Sequence, residues 1–266
     1  MDLADIREYV AGDDVRHIDW SVTARMDTPY VREYHEDREI TAQFLLDVSP
    51  SVDFGTATAL KRDLLIDFVA VLARLLTRQG NKIGALLYGS RVERVIPARS
   101  GKMQVLRLIS ELESRPRLTE APPTALADLL ETGLRSIRRR SLVFVISDFF
   151  TMPGWERPLA QLARRHEVLA IRLVDPRERE LPQIGMVVMN DAETGEHLWV
   201  DTNDPRFRRR FAEVVDRREL MLAATFRRYG VASLELSTEE DLVRSIVRFA
   251  AKRKLRHGQR AAGVAS

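Results

Sequence analysis

The sequence predicts an α/β protein with a doubly wound, mostly parallel sheet and helices on both faces. Short apolar runs such as "TAQFLLDV" suit strands that are covered on both faces. Amphipathic stretches of ten or more residues alternate with these runs, and they are long enough to be the crossover helices of a parallel sheet. The hydrophobic content, 45% of 266 residues, is that of a globular protein.

The predicted elements follow one another in a regular order from Thr41 onward. The strands are "TAQFLLDV", "KIGALLYG", "RVERVIPA", "SLVFVISDFF", "EVLAIRLVD" and "ASLELS". The helices are "ALKRDLLIDFVAVLARLLTRQG", "GKMQVLRLISELES", "TALADLLETGLRSIRRR", "PLAQLARRH", a long one over about 205–229, and "TEEDLVRSIVRFAAKRK". We expect Ser237 or Thr238 to cap the last helix. The segment "GMVVMNDAETGEHLWVDT" predicts a β-hairpin insertion around a glycine-containing turn.

Three parts of the chain differ in character. Residues 1–40 are rich in Arg, Asp and Glu, and we expect extended or irregular chain held by ion pairs, with "AGDD" as a turn, packed on the main domain. Residues 41–250 form the main domain. Residues 251–266 form a basic tail that we expect to be disordered.

Composition narrows the classes of function. The net charge is +3, but five Lys or Arg and no acid lie in 251–266, so removing those five charges leaves −2 for the rest. The chain has no cysteine, which excludes disulfides and thiolate chemistry. No apolar run reaches the roughly 18 residues of a membrane span, and the N-terminus lacks the pattern of a signal peptide. These features predict a cytoplasmic protein with no membrane span.

Oxygen-bearing side chains gather where the predicted strands end. Asp47, Ser49 and Ser51 follow the first strand, and Asp148 follows "SLVFVIS". Thr124 lies at the start of a helix between them. Because functional crevices lie at the carboxyl ends of parallel strands, we expect these side chains to meet. Two carboxylates and three hydroxyls suit Mg²⁺, with Mn²⁺ or Ca²⁺ as alternatives.

Each of these residues also has a simpler interpretation. Taken singly, each is better explained without a metal, because caps are far commoner than metal ligands. Ser49 or Ser51 would be a turn or cap residue, Thr124 a helix N-cap, and Asp148 the end of its strand. The metal interpretation is favoured because three separate segments deliver compatible ligands to one edge.

The five positions resemble the metal-ion-dependent adhesion site of von Willebrand factor A domains. That site has D-x-S-x-S after the first strand, a Thr before a central helix and an Asp after a later strand. The resemblance implies Mg²⁺ held by Asp47, Ser49, Ser51, Thr124 and Asp148, with the hydroxyls bound directly and the aspartates partly through water. Phe149 departs from the pattern, since the better-known A domains have glycine there.

The rest of the chain resembles the bacterial domain-of-unknown-function 58 family. The residues that carry this resemblance are "LADIREYVAGDDVRHIDWSVTARMDTPYVREYHEDRE", "LVDPRERELP", "DAETGEHLWVD" and "YGVASLELSTEEDLVRSIVRFA". It implies a further segment before Met1, with membrane helices in some relatives. It also implies association with MoxR-type AAA+ ATPases, and hence an adaptor or co-chaperone role.

The charged amino-terminal segment has two interpretations. Its candidate functional residues are Arg7, Asp13, Asp14, Arg16, Asp19, Trp20 and Arg25. They form either a partner-binding surface or a salt-bridged strap on the main domain with Trp20 as its anchor. Charge-rich segments are more often structural or solvated, which favours the strap.

Known catalytic patterns are missing. The sequence has no complete Walker phosphate loop, G-x-S-x-G or H-E-x-x-H, and its histidines are scattered. We therefore expect a non-enzymatic module that captures a partner's acidic side chain through Mg²⁺, without a small-molecule substrate. Two alternatives are a metal-dependent hydrolase that uses the same site and a nucleic-acid binder that uses the basic tail; the charge distribution disfavours the latter.

Overall fold

The computed structural model describes residues 2–35, 40–56, 59–116, 122–190 and 197–248. The chain divides into two compact units, Met1–Glu39 and Ile40–Ser266. The predicted basic tail lies outside the described residues. No helix among the described residues is both long and apolar enough to cross a membrane.

The amino-terminal unit contains regular secondary structure. Strand β1 (Asp2–Glu8) pairs antiparallel with β2 (Tyr30–His35), and helix α1 (Trp20–Met26) lies between them in sequence, after a 3₁₀ turn at Val15–His17. The expectation of extended chain holds for β1 and β2, and it is wrong for Trp20–Met26, which is helical. The predicted turn at "AGDD" is confirmed, because the Asp13 amide donates to the Val10 carbonyl at 3.0 Å.

The larger unit is built on a six-stranded sheet. The remaining strands are β3 (Thr41–Asp47), β4 (Lys82–Tyr88), β5 (Val92–Arg99), β6 (Leu142–Ser147), β7 (Glu167–Val174), β8 (Met186–Asn190), β9 (His197–Asp201) and β10 (Ala232–Ser237). The sheet order is β10-β7-β6-β3-β4-β5, and only the edge strand β5 is antiparallel to its neighbour. Strands β8 and β9 pair antiparallel, as the predicted hairpin requires, and its glycine-containing turn lies outside the described residues.

Helices cover both faces of this sheet, as predicted. They are α2 (Lys61–Arg78), α3 (Lys102–Glu113), α4 (Leu126–Ser136), α5 (Glu156–Arg165) and α6 (Pro205–Arg228), with 3₁₀ turns at Pro50–Asp53 and Pro176–Glu178 and a helical stretch at 242–248. α2, α3 and 242–248 contribute to one core cluster. α4, α5 and α6 contribute to the other.

Strand β3 lies at the centre of the sheet and connects the two cores. Phe44 and Leu46 belong to one core and Leu45 to the other, because successive side chains of a strand point to opposite faces. The carboxyl ends of β3, β6, β7 and β10 share one edge. That edge brings Asp47, Asp148 and Asp175 into neighbouring positions.

The start of the last helical stretch differs from the prediction. Neither Ser237 nor Thr238 caps it: the Thr238 hydroxyl donates to Asp175 at 2.9 Å instead. The helical stretch begins at 242, and Asp241 accepts a hydrogen bond from the Arg244 amide at 2.7 Å. An acceptor three residues before the amide is the usual N-cap geometry.

Candidate functional site

The turn after β3 holds three of the predicted residues together. Asp47 is fully buried, and its Oδ1 accepts a hydrogen bond from the Ser49 amide at 3.1 Å. The hydroxyls of Ser49 and Ser51 lie 3.1 Å apart. Ser49 precedes the 3₁₀ turn at Pro50–Asp53 but makes no side-chain cap bond to it. The cap interpretation of Ser49 is therefore not supported, and its hydroxyl lies beside another hydroxyl and a carboxylate.

The end of β6 contributes the second carboxylate. Ser147 donates from its hydroxyl to Asp47 Oδ2 at 2.6 Å, which joins the ends of the two strands. Asp148 is fully buried, and its Oδ1 accepts from the Phe150 amide at 2.9 Å. Asp47 and Asp148 thus lie at the same edge of the sheet, as predicted.

The Phe149 backbone between these groups has a left-handed conformation, with φ of 59°. This conformation costs a non-glycine residue about 1–2 kcal/mol, which explains why glycine suits the position in similar domains. Here the Phe149 ring is buried against Trp155 and Phe226, with ring centroids 5.4 and 5.2 Å away. Burial of the ring offsets the backbone strain, so the loop keeps the turn that glycine would otherwise provide.

Thr124 is buried just before α4, and its backbone connects it to the same loops. Its carbonyl accepts from the Thr151 hydroxyl at 2.7 Å and from the Met152 amide at 2.8 Å. The N-cap of α4 is Ala125, and the Leu126 amide donates to the Thr151 hydroxyl at 2.9 Å. Thr124 is thus not the N-cap that the simpler interpretation assumed.

The two aspartates affect one another electrostatically. Burial, and then the negative charge of Asp148, raise the pKa of Asp47 to about 6, against the opposing hydrogen bonds from Ser147 and Ser49. A nearby cation stabilises the charged form of a carboxylate whose pKa is raised in this way.

A lysine that the sequence did not single out supplies one such cation. Lys61, the first residue of α2, is fully buried, and its Nζ lies 2.7 Å from Asp148 Oδ2 and 2.6 Å from Glu178 Oε1. Burial alone would lower the pKa of Lys61, but the charges of Asp148 and Glu178 outweigh burial and raise it. A basic residue in the first turn of a helix is disfavoured by the helix dipole. This unusual position of Lys61 is the one feature of the sequence that could have indicated a specific role for it.

Aromatic rings surround this ammonium group. The Lys61 Nζ lies 5.5 Å from the ring centroids of both Phe54 and Phe150. The Phe150 ring also contacts the Arg218 guanidinium, with 3.1 Å from Cζ to the ring centroid. Arg218 also donates to the Asp148 carbonyl oxygen at 3.2 Å, and its pKa is lowered to about 10 mainly by burial.

At the carboxyl end of the neighbouring strand β7, Asp175 accepts several hydrogen bonds from within the protein. Asp175 accepts from the Thr56 amide and hydroxyl at 2.8 and 2.5 Å, from the Arg177 amide at 2.9 Å, and from Thr238. These bonds lower its pKa even though burial would raise it. Glu178, two residues after Pro176, reaches back to Lys61, and its pKa is raised because burial outweighs the attraction of that lysine.

A larger network continues from there. Arg172 pairs with Glu219 of α6, and Arg179 donates to both Glu219 and Glu235 at 3.2 and 2.5 Å. The segment "LVDPRERELP" is thus explained by ion pairs that connect β7, β10 and α6.

The signature residues of the amino-terminal unit form ion pairs and caps within that unit. Arg7 donates to both oxygens of Asp13 at 2.8 Å, and Asp14 pairs with Arg16 at 2.8 Å. Asp19 caps α1 and accepts from Arg32 at 2.8 Å. These contacts fit the salt-bridged interpretation. Trp20 is 70% exposed and Arg25 is exposed. The role of Trp20 as an anchor and the partner-binding role of both side chains stay predictions.

A model of the family described as "Protein of unknown function DUF58" matches residues 5–220. The chain belongs to the DUF58 family. An uncharacterized protein of Mycobacterium tuberculosis strain H37Rv is 39% identical over 248 residues, which cover 93% of this chain and 78% of that protein. An uncharacterized protein of Mycobacterium avium is 40% identical over 159 residues, covering 60% of this chain and 94% of that protein.

Two solved structures share the fold of this DUF58 protein. The conserved hypothetical protein BatB from Bacteroides thetaiotaomicron has a TM-score of 0.51 and 12% identity, covering 82% of this chain and 99% of that one. An aerotolerance-related membrane protein from Bacteroides fragilis has a TM-score of 0.51 and 14% identity, covering 81% of this chain and 97% of that one. The larger unit therefore has a von Willebrand A-like fold.

The donor set fits a hard divalent cation on chemical grounds. Two buried carboxylates repel one another and lie beside the paired hydroxyls of Ser49 and Ser51. Over the described ranges, no group of three or more His, Cys, Asp or Glu side chains has the geometry to hold a metal ion. An ion at this edge would therefore depend on hydroxyl oxygens as well as on Asp47 and Asp148.

Proposed function

We propose that this DUF58 protein is a metal-dependent protein-binding module that acts as an adaptor or co-chaperone for a MoxR-type AAA+ ATPase. In this proposal Asp47, Ser49, Ser51, Thr124 and Asp148 hold Mg²⁺. The ion supplies an electrophilic centre that takes one carboxylate from the partner. The single observation that carries the proposal is the meeting of hydroxyls and two mutually repelling carboxylates at the carboxyl edge of the sheet.

The formal charges at the edge support a carboxylate as the incoming group. The ionised groups that interact around Asp148 are Asp47, Asp148, Glu178, Lys61 and Arg218. Their three negative and two positive charges leave −1. A divalent ion changes this to +1, and one partner carboxylate restores neutrality. Charge balance of this kind favours buried ionic groups, because unpaired buried charges are costly.

The rim of the site has the composition of a binding surface. Phe54 and Phe150 are each 39% exposed and Met152 is 52% exposed, and all three belong to the loops that follow β3 and β6. Aromatic residues and methionine are enriched at protein interfaces. We expect these side chains to pack around the partner residue that carries the carboxylate.

Capture of a purified MoxR-type AAA+ ATPase tests this proposal. The wild-type chain is immobilised, and retention of the ATPase is measured in Mg²⁺ and in a chelator. We expect retention in Mg²⁺ that is lost in the chelator and lost again with Asp47→Ala. Asp53→Ala is the matched control, because this nearby aspartate pairs with Arg62 at 3.3 Å and is not a member of the donor set. If chelator and Asp47→Ala leave retention unchanged, the metal bridge is wrong.

One observation favours a second candidate, a metal-dependent hydrolase. Two buried carboxylates and two hydroxyls at the carboxyl edge of the sheet are also a donor set with which a hydrolase would hold a divalent ion to activate water. Such an enzyme should hydrolyse a phosphoester or peptide substrate with multiple turnovers, and Asp47→Ala should abolish that turnover. Absence of turnover, together with metal-dependent capture, would leave binding as the function.

A further inference from the structure

The ammonium group of Lys61 is bound to Asp148, one of the two carboxylates of the candidate metal site. Its Nζ is fully buried and donates to Asp148 Oδ2 at 2.7 Å and Glu178 Oε1 at 2.6 Å. Two aromatic rings, those of Phe54 and Phe150, lie 5.5 Å from the same nitrogen. Ion pairs to two carboxylates and contacts with two aromatic rings hold the buried ammonium group beside Asp148.

Asp148 is therefore both the ion-pair partner of Lys61 and a proposed ligand of the metal ion. Asp148 Oδ1 accepts from the Phe150 amide, and Oδ2 is bound by Lys61. A cation this close to a carboxylate neutralises much of the charge that would otherwise attract a metal ion. Asp47, in contrast, receives hydrogen bonds only from neutral groups, the Ser49 amide and the Ser147 hydroxyl, among the described contacts.

We propose that Lys61 is a tethered cation that competes with a divalent ion for Asp148 and so sets the metal affinity of the site. The inference rests on the metal site of the proposed function. The proposal predicts that removal of the Lys61 charge strengthens metal binding. If Lys61 only stabilises the fold, its removal leaves the metal affinity unchanged. If Lys61 orients Asp148 for ligation, its removal weakens the metal affinity.

The test is direct binding of Mn²⁺ to the purified chain, measured by loss of the free Mn²⁺ signal in electron paramagnetic resonance. Lys61→Met removes the charge and keeps an unbranched side chain. We expect the variant to bind Mn²⁺ at least about tenfold more tightly than wild type, since like charges a few ångströms apart repel strongly in a protein. Lys102→Met is the matched control, because Lys102 is also the first residue of its helix but is exposed. The control should bind as wild type does.

The double variant Lys61→Met/Glu178→Gln separates local competition from net charge. It has the same formal charge as wild type, but Asp148 has lost its ammonium partner. Tighter Mn²⁺ binding than wild type by this variant supports the proposal. Equal or weaker binding by this variant overturns it, because any gain of the single variant would then come from net charge alone. If the single and the double variant are both unfolded in chelator, added Mn²⁺ should restore the circular dichroism spectrum of the folded protein. If Mn²⁺ restores it for neither variant, the proposal is also overturned.

The outcomes for Lys61 and for the proposed function are distinguishable. Wild-type binding of Mn²⁺ with no effect of the Lys61 variants refutes the tethered-cation role and leaves the adaptor proposal intact. Wild type that binds no Mn²⁺ at millimolar concentration, beside a Lys61→Met variant that binds it, supports the tethered cation and refutes the metal bridge of the native chain.

Discussion

Replacing Asp47 with Asn should change how the stability of the metal-free protein depends on pH. Burial and the charge of Asp148 raise the pKa of Asp47 from 3.8 to about 6 in the folded chain. A carboxylate with a raised pKa stabilises the fold while it is protonated, below about pH 4. That contribution is lost as the pH rises through about 6.

The difference of about two pKa units corresponds to about 3 kcal/mol in total, of which roughly half is lost between pH 5 and pH 7.5. Asp47→Asn has no titrating group at this position, so it should gain about 1 kcal/mol relative to wild type over that interval. Urea unfolding in a chelator, followed by circular dichroism at both pH values, measures the change. The constant cost of altering the bond to Ser147 cancels, because only the change with pH is compared. Parallel pH profiles for the two proteins would refute the raised pKa of Asp47.

Three further predictions concern the surrounding structure. Asp175→Asn should destabilise the fold by about 1–3 kcal/mol through loss of acceptor sites, as measured by urea unfolding. Because the pKa of Asp175 is lowered, the difference in unfolding free energy from wild type should stay constant from pH 7.5 to 5 and should narrow only below about pH 4. Phe149→Ala and Phe149→Gly should both lose about 3 kcal/mol of packing, but the glycine variant should be the more stable of the two by about 1 kcal/mol, since φ is 59°; equal melting temperatures would contradict this. Gly133→Val should lower stability by about 1–3 kcal/mol, because a Cβ there would lie 2.8 Å from Leu45 Cδ2, and a thermal melt that shows no loss would contradict the close packing of α4 on β3.

The sequence predicted the sheet and its helices because each element carries its own local pattern. The apolar run around Phe44 and the helical spacing from Leu64 to Phe68 are visible within a few residues, and both proved to be buried in one core. The amino-terminal segment was harder to interpret because its pattern is polar. Its helix depends on Asp19, which both caps the helix and pairs with Arg32 thirteen positions away.

The candidate site was predictable only in part. Its oxygen donors follow predicted strands, so the parallel sheet by itself indicates that Asp47 and Asp148 should meet. The partners of Lys61 could not be predicted in this way, since Asp148 and Glu178 lie 87 and 117 positions along the chain. Pairing over such separations depends on where loops pass in three dimensions, and local periodicity does not record it.

The central position of β3 also has a consequence for the order of folding. The hydrogen bond between Ser147 and Asp47 joins residues 100 positions apart, and it requires β3 and β6 to be paired in register up to their carboxyl ends. Contacts between such distant parts of a chain form slowly, because a long loop must close before they contribute. The cluster of oxygen donors is therefore assembled only in chains whose central sheet is complete. A partner that recognises this edge would select fully folded molecules and disregard newly made or damaged ones.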